Sequence, residues 1–216
     1  MAEVVIAARG GRDAKSRLAA MLSPDDRDTL TTRMLQDMLD ELVPAQPAAS
    51  ISVVTTTPGI AEAARRAGVA VISQSEPANV NDAFSLALDA IAERAPYDSV
   101  ALLMGDLPLI KASDLDAAFQ LLVTHAVVLA PALADLGTNA ILLRAGARLP
   151  LCFGPKSFER HRAAAEAAGL STAVIAAESL SFDVDRPEDL TRVMALAPRS
   201  LSGRFLRQRF SQRTPS

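Results

Sequence analysis

The chain is poor in the residues on which several enzyme classes depend. It has one cysteine, Cys152, so no internal disulfide can form, and this fits a reducing cytoplasm. That thiol and the two histidines, His125 and His161, are too few for an ordinary zinc site. No serine–histidine–acid set and no reactive cysteine stands out. Aromatic residues make up only 4 % of the 216, although half of the chain is hydrophobic. Such a mixture, rich in Ala, Leu and Val, suits helices packed on a sheet better than an all-β sandwich. No apolar run approaches the roughly 20 residues that span a bilayer, and no basic-then-apolar leader opens the chain. Membrane insertion and secretion are therefore not expected. A basic excess is missing too. The five arginines beyond residue 198 stand without an acid, so the preceding body carries −8 against −3 for the whole. An acidic body argues against nucleic acid as the main partner, but not against a nucleotide.

What the sequence does contain is a regular alternation. Short apolar runs at residues 3–8, 50–56, 69–73, 99–104, 126–131 and 139–143 read as strands, with shorter ones at 172–176 and 179–182. Helical stretches separate them. One starts at Ser23-Pro24-Asp25-Asp26, with Ser as cap, Pro in the first position and acids in the first turn, and ends at Pro44. Others cover residues 58–67 (closed by Gly68), 81–94 (after a loop with Pro77 and Asn79), a stretch capped by Ser113, 157–168 and 187–197. This order predicts right-handed βαβ units and an α/β fold of one domain with a mostly parallel sheet. Residues 199–216 read as a basic tail with few apolar side chains. Disorder is the expectation there, with a loosely docked or membrane-surface helix as alternatives.

Two acidic sites and one basic loop carry the chemistry. The run from Ser99 stops at Gly105-Asp106-Leu107-Pro108. A carboxylate at the end of a core strand belongs in the cleft beyond the sheet, since burying it unpaired is costly. Asp183-Val184-Asp185 ends another short apolar run. In an extended segment its two carboxylates share a face, where they repel unless a cation joins them. With Asp106 they suggest a site of hard oxygen ligands for Mg²⁺. The stretch Arg9-Gly10-Gly11-Arg12-Asp13-Ala14-Lys15-Ser16-Arg17-Leu18 combines glycines that let backbone amides approach phosphates with cations that neutralise them. It matches neither the P-loop nor the dinucleotide fingerprint. These parts suit a phosphomonoester attacking a nucleotide, a reaction needing alignment and charge neutralisation but no general base.

Five motifs in order then carry a resemblance: Ala14-Lys15-Ser16-Arg17-Leu18; Gly105-Asp106-Leu107-Pro108; Gly137-Thr138-Asn139-Ala140; Phe153-Gly154 with Ser157-Phe158 and His161; and Asp183-Val184-Asp185 with Pro187-Glu188-Asp189-Leu190. Together they cover nearly all of residues 4–197, and the set resembles the 2-phospho-L-lactate guanylyltransferase family of coenzyme F420 biosynthesis. That resemblance implies a three-layer, Rossmann-like (glycosyltransferase-A-like) nucleotidyltransferase fold over residues 1–198, similar to molybdenum-cofactor guanylyltransferases. It implies transfer of GMP from GTP to a small phosphorylated three-carbon acid (2-phospholactate, phosphoenolpyruvate or 3-phosphoglycerate) with release of pyrophosphate. Residue by residue it assigns Asp106, Asp183 and Asp185 to Mg²⁺, and Lys15, Arg17 and Asp106 to catalysis. The basic glycine loop offers Arg9, Gly10, Gly11 and Lys15 to the nucleotide, to which the resemblance adds Asn81, and the resemblance gives Thr138, Gly154 and Ser157 to the acid. Where the family has Pro-x-Lys ahead of Lys15, this chain has Ala7-Ala8-Arg9. A cytoplasmic enzyme is implied, with homodimerisation open. Two rivals remain at this point: a nucleotidyltransferase of the same fold with another nucleotide or acceptor, and a non-catalytic nucleotide-binding relative.

Overall fold

A computed structural model describes residues 2–45, 49–73, 79–94 and 97–212. In chain order the elements are β1 (Ala2–Ala7), a 3-10 turn (Ser16–Leu18), α1 (Pro24–Ala45), β2 (Ala49–Thr55), α2 (Pro58–Arg66), β3 (Ala70–Ser73), α3 (Val80–Arg94) and β4 (Ser99–Met104). There follow α4 (Ala112–Leu121), β5 (Val127–Pro131), β6 (Thr138–Arg144), α5 (Ser157–Ala167), β7 (Thr172–Val174), α6 (Glu178–Ser181), α7 (Pro187–Leu196) and α8 (Leu201–Ser211). Pro77, placed by the sequence in a loop, lies outside the described residues.

Among these residues the strands make one sheet in the order β3-β2-β1-β4-β6-β5-β7. All pairings are parallel except those of β6, which runs against both β4 and β5. The α/β fold with a mostly parallel central sheet is therefore as expected. The strands are covered on both sides, which is why they read as continuous apolar runs rather than alternating ones. In β1, Val4 and Ile6 face a core completed by α1, α2 and α4, while Val5 faces a second one completed by α3 and α5. A third cluster, with Leu18, Leu30, Met34, Phe182, Val184 and Leu206, lies beneath the 3-10 turn and residues 182–184.

Three expectations change. Residues 179–182 do not form a strand: α6 makes one helical turn, which buries Leu180 in the first core before Phe182 enters the third. Ser113 does not cap α4. Its first amides are met from elsewhere, Ala112 N by Glu41 Oε1 (2.9 Å) and Lys111 N by Ser179 Oγ (3.3 Å). Disorder was expected for the tail, and its described part is helical. It forms α8, whose Leu206 is fully buried and which packs on α1 and α7. Ser200 Oγ caps the helix by accepting from Gly203 N (3.0 Å), and Asp37 of α1 takes up the first amides, accepting from Leu201 N (2.6 Å), Ser202 N (3.0 Å) and Ser202 Oγ (2.5 Å). Arg213 lies outside the described residues. No helix among them is long and apolar enough to cross a membrane.

Candidate active site

β1 and β4 end side by side, and a glycine sets how closely. Gly105 N donates to Ala7 O (2.9 Å), and a Cβ at Gly105 would stand 2.6 Å from Ala8 Cβ and 2.8 Å from Ala7 O. Only glycine fits, so the next residue, Asp106, emerges tightly against β1. Asp183 and Asp185 reach the same place by alternation. Phe182 and Val184 point into the third core, so the two aspartates between and beyond them point out. Val184 N donates to Asp106 O (3.3 Å), and Asp189 Oδ2 accepts from Asp185 N (2.9 Å) and Arg186 N (2.7 Å). Carboxylate oxygens of Asp106, Asp183 and Asp185 lie within 4.8 Å of one another.

Lys15 stands among them. Its Nζ donates to Asp106 Oδ2 (2.5 Å) and Asp185 Oδ1 (2.7 Å), and Arg17 adds a bond to Asp185 Oδ2 (3.0 Å). Burial alone would lower the Lys15 pKa, but the charges of Asp106 and Asp185 outweigh it and hold the ammonium above its usual range. Burial would likewise raise Asp185, yet Lys15 above all, with Arg17 and Arg186, brings it below the usual carboxylate range. Asp183 gains least from Lys15, whose charge is the smallest of the influences on it. Burial first, and then the charge of Asp106, push its carboxyl up to about 6, only partly offset by a hydrogen bond from Asn139 Nδ2 (3.3 Å).

The loop that presents Lys15 is held rigidly. Lys15 itself is left-handed (φ 53°), and Gly11 has φ 99°. Arg27, 7 % exposed, ties the loop down through Ala14 O (2.9 Å), Leu22 O (3.0 Å) and Arg12 O (2.7 Å). The amides of Gly10 and Gly11, which the sequence offered to phosphates, are already engaged, by Thr57 Oγ1 (3.0 Å) and Asp28 Oδ1 (2.5 Å). Across a cleft of about 890 Å³ from this loop lie Thr138, Gly154 and Phe153. Thr138 opens β6, and because β6 is antiparallel its first residue, not its last, reaches the cleft. Behind it, Ser157 Oγ donates to Thr138 Oγ1 (3.1 Å), and His161 Nδ1 lies 2.9 Å from the same oxygen.

The motif content of this cleft is matched along the chain. The family model for CofC-like guanylyl transferases covers residues 2–213. The chain belongs to this family. Among CofC-like and related proteins it is 48 % identical over 195 residues to the 3-phospho-D-glycerate guanylyltransferase of Phenylobacterium zucineum, covering 89 % of each chain. It is 36 % identical to the phosphoenolpyruvate guanylyltransferase of Sphaerobacter thermophilus (86 % of this chain, 88 % of that one). The 2-phospho-L-lactate guanylyltransferase of Methanothermobacter thermautotrophicus is 31 % identical (90 % and 85 %). In three dimensions the chain superposes on a nucleotidyl transferase from Methanothermobacter thermautotrophicus with a TM-score of 0.67 at 16 % identity, covering 96 % of this chain and 99 % of that one. This likeness shows the fold.

In this CofC-like chain Arg9, Gly10, Gly11, Lys15, Arg17, Asp106, Thr138, Gly154, Asp183 and Asp185, all assigned from sequence, line one cleft. Asn81 and Ser157 do not. Asn81 is spent on the backbone of Phe153, accepting from its N–H (2.7 Å) and donating to its C=O (3.3 Å). Ser157 is fully buried behind Thr138. Arg27, Asp28 and the side-chain bond of Asn139 were not anticipated. Asn139 and His161 stood in the motifs, but a buried arginine early in a helix looks in sequence like any surface cation.

His161 is fully buried, and burial, followed by the charge of Arg160, lowers its pKa from 6.5 to about 4. The unfolded chain takes up a proton below pH 6.5 that the native ring refuses, so stability is lost as pH falls. Asp183, raised when folded, works in the opposite direction. The readout is therefore a difference: between pH 7 and pH 5 the parent should lose about 2 kcal/mol more than His161→Asn in urea denaturation. Parallel losses would show that His161 is not buried neutral.

Proposed function

We propose that the chain transfers GMP from GTP to a small phosphorylated three-carbon acid and releases pyrophosphate, as a step in coenzyme F420 biosynthesis in the cytoplasm. The observation that carries this is the meeting of Asp106, Asp183 and Asp185 with Lys15 at the mouth of the basic loop, opposite Thr138 and Gly154. The residues fit a divalent cation such as Mg²⁺. The donor set is all hard oxygen, and Asp106 Oδ1 is buried with no hydrogen-bond partner among the described residues. When bound, Mg²⁺ supplies charge neutralisation on the reacting phosphates. Lys15, Arg17 and Arg9 face the triphosphate and offset its charge. Thr138 and the Gly154 turn receive the acid and hold its phosphate in line. That phosphate is largely dianionic at neutral pH, its second pKa being about 6, so it attacks without a base.

The name borne by the Phenylobacterium relative makes 3-phosphoglycerate the first acid to try, with phosphoenolpyruvate second. A matrix of GTP, ATP, CTP and UTP against 2-phospholactate, phosphoenolpyruvate, 2-phosphoglycerate and 3-phosphoglycerate, with Mg²⁺, scored by pyrophosphate release, tests the whole reading. Turnover is expected in the GTP row and highest with 3-phosphoglycerate. Turnover with another nucleotide alone would overturn the guanylyl assignment, and silence throughout would overturn the enzyme.

A further inference from the structure

The hydrogen bonds behind Thr138 fix where protons sit, and they do so starting from a backbone amide. Cys152 N can only donate, and its acceptor is His161 Nε2 at 2.9 Å. Nε2 therefore presents a lone pair and carries no proton. The ring is fully buried and neutral, so its single proton is on Nδ1. Nδ1 faces Thr138 Oγ1 at 2.9 Å and must donate to it. Ser157 Oγ donates to the same oxygen at 3.1 Å. A hydroxyl oxygen has two lone pairs. Both are now taken, so Thr138 cannot accept from anything in the cleft that it lines. Its own proton is the one thing it has left to offer.

We propose that His161 is a positioning residue that, together with Ser157, commits the Thr138 hydroxyl to donate into the cleft, so that the group bound there is an oxyanion, a carboxylate or phosphate oxygen of the acid substrate. This rests on the proposed placement of the acid beside Thr138. It gives the ring a task other than core packing. Phe153, whose ring meets His161 edge-on at 5.0 Å between centroids, and the Cys152 amide hold the imidazole at the angle that the relay requires. A bond from a committed donor to an anion is also the stronger kind, because no competing orientation of the hydroxyl has to be given up on binding. Ser157, fully buried, acts on the acid only through Thr138.

Two measurements test this. The first is the imidazole ¹⁵N spectrum, assigned with His125→Gln because the chain has only two histidines. It should show His161 protonated at Nδ1 from pH 6 to 8, and a proton on Nε2 would overturn the relay. The second is a double-mutant cycle on 3-phosphoglycerate binding by calorimetry, with KM measured beside it. Thr138→Val and His161→Phe should each weaken binding by about tenfold or more, the size of one hydrogen bond to a charged group. The loss should fall on KM for the acid more than on kcat, and GTP affinity should change less than twofold. The double variant should bind no worse than Thr138→Val, and His161→Asn, whose Nδ2 can donate from the place of Nδ1, should recover most of the affinity. Additive losses in the double variant would mean that His161 does not act through Thr138, leaving the placement of the acid intact. An unchanged affinity in Thr138→Val would overturn that placement itself. If His161→Phe does not fold, the spectrum and His161→Asn carry the test.

Discussion

Lys15→Met is expected to be markedly less stable than the parent in the presence of a chelator, and to recover most of that loss when Mg²⁺ is added. Lys15 is the cation around which Asp106 and Asp185 close, with a side chain only 10 % exposed. Removing one partner of a largely buried ion pair costs about 3–5 kcal/mol, because the remaining charges have nothing to face. Asp185, at 29 % exposure, is partly relieved by water, which places the expected loss at the lower end. A divalent ion held by the three carboxylates, as proposed above, would restore the missing charge. The parent, whose lysine already neutralises two of them, should respond far less to Mg²⁺. Thermal melts of both proteins with EDTA and with Mg²⁺ give the four numbers required. Equal responses would show that Lys15 and the ion do not share these carboxylates. Turnover of the variant should fall by about a hundredfold or more, the usual cost of losing a preorganised charge beside a reacting phosphate.

A chain ending at Arg199 should fail to give a soluble, stable protein. Without α8 the third core loses Leu206, and Leu30 and Met34 of α1 lose their cover. Asp37 loses its three hydrogen bonds at the same time. Leu206→Ala is the milder version. At a fully buried site it should cost about 2–5 kcal/mol in urea denaturation. Because the same cluster contains Val184 and Leu18, which flank Asp183 and follow Lys15, Mg²⁺-dependent stabilisation should weaken alongside it. A truncated chain with parental stability and turnover would show that α8 only rests on the surface.

The parts of this molecule that were legible in the sequence are those whose cause is local. Ser23 Oγ accepts from Asp26 N (3.1 Å), as a cap at that position should. Doubly covered strands announce themselves as apolar runs. Asp106 and the Asp183-Asp185 pair stood out because carboxylates at the ends of such runs have nowhere to go but a cleft. What stayed hidden was settled between distant elements. The start of α4 is capped by Glu41, 71 positions away in sequence. The tail reads as too polar to fold because its Leu206 and its Asp37 partner each look unremarkable until they meet. The Asp triad suggested mutual repulsion because nothing in the sequence says that Lys15 arrives between its members. Asn81 and Ser157 occupy the right neighbourhood, but their bonds turn them to holding Phe153 and Thr138.

The span of sequence closed by Lys15 has a consequence for how the protein comes into being. Lys15 meets Asp106 across 91 positions and Asp185 across 170, and Asp37 meets Ser202 across 165. Chains are synthesised at about 5–20 residues per second, so Lys15 waits roughly ten to thirty seconds for Asp185 to be made. During that time β1, β2 and β3 can pair, but the apolar side of α1 has no α8 to cover it. A chain not yet grown past Asp185 lacks the site, and one not yet grown through α8 leaves that apolar helix face exposed. The carboxylate cluster around Lys15 can close first, and the cover over α1 follows only with α8.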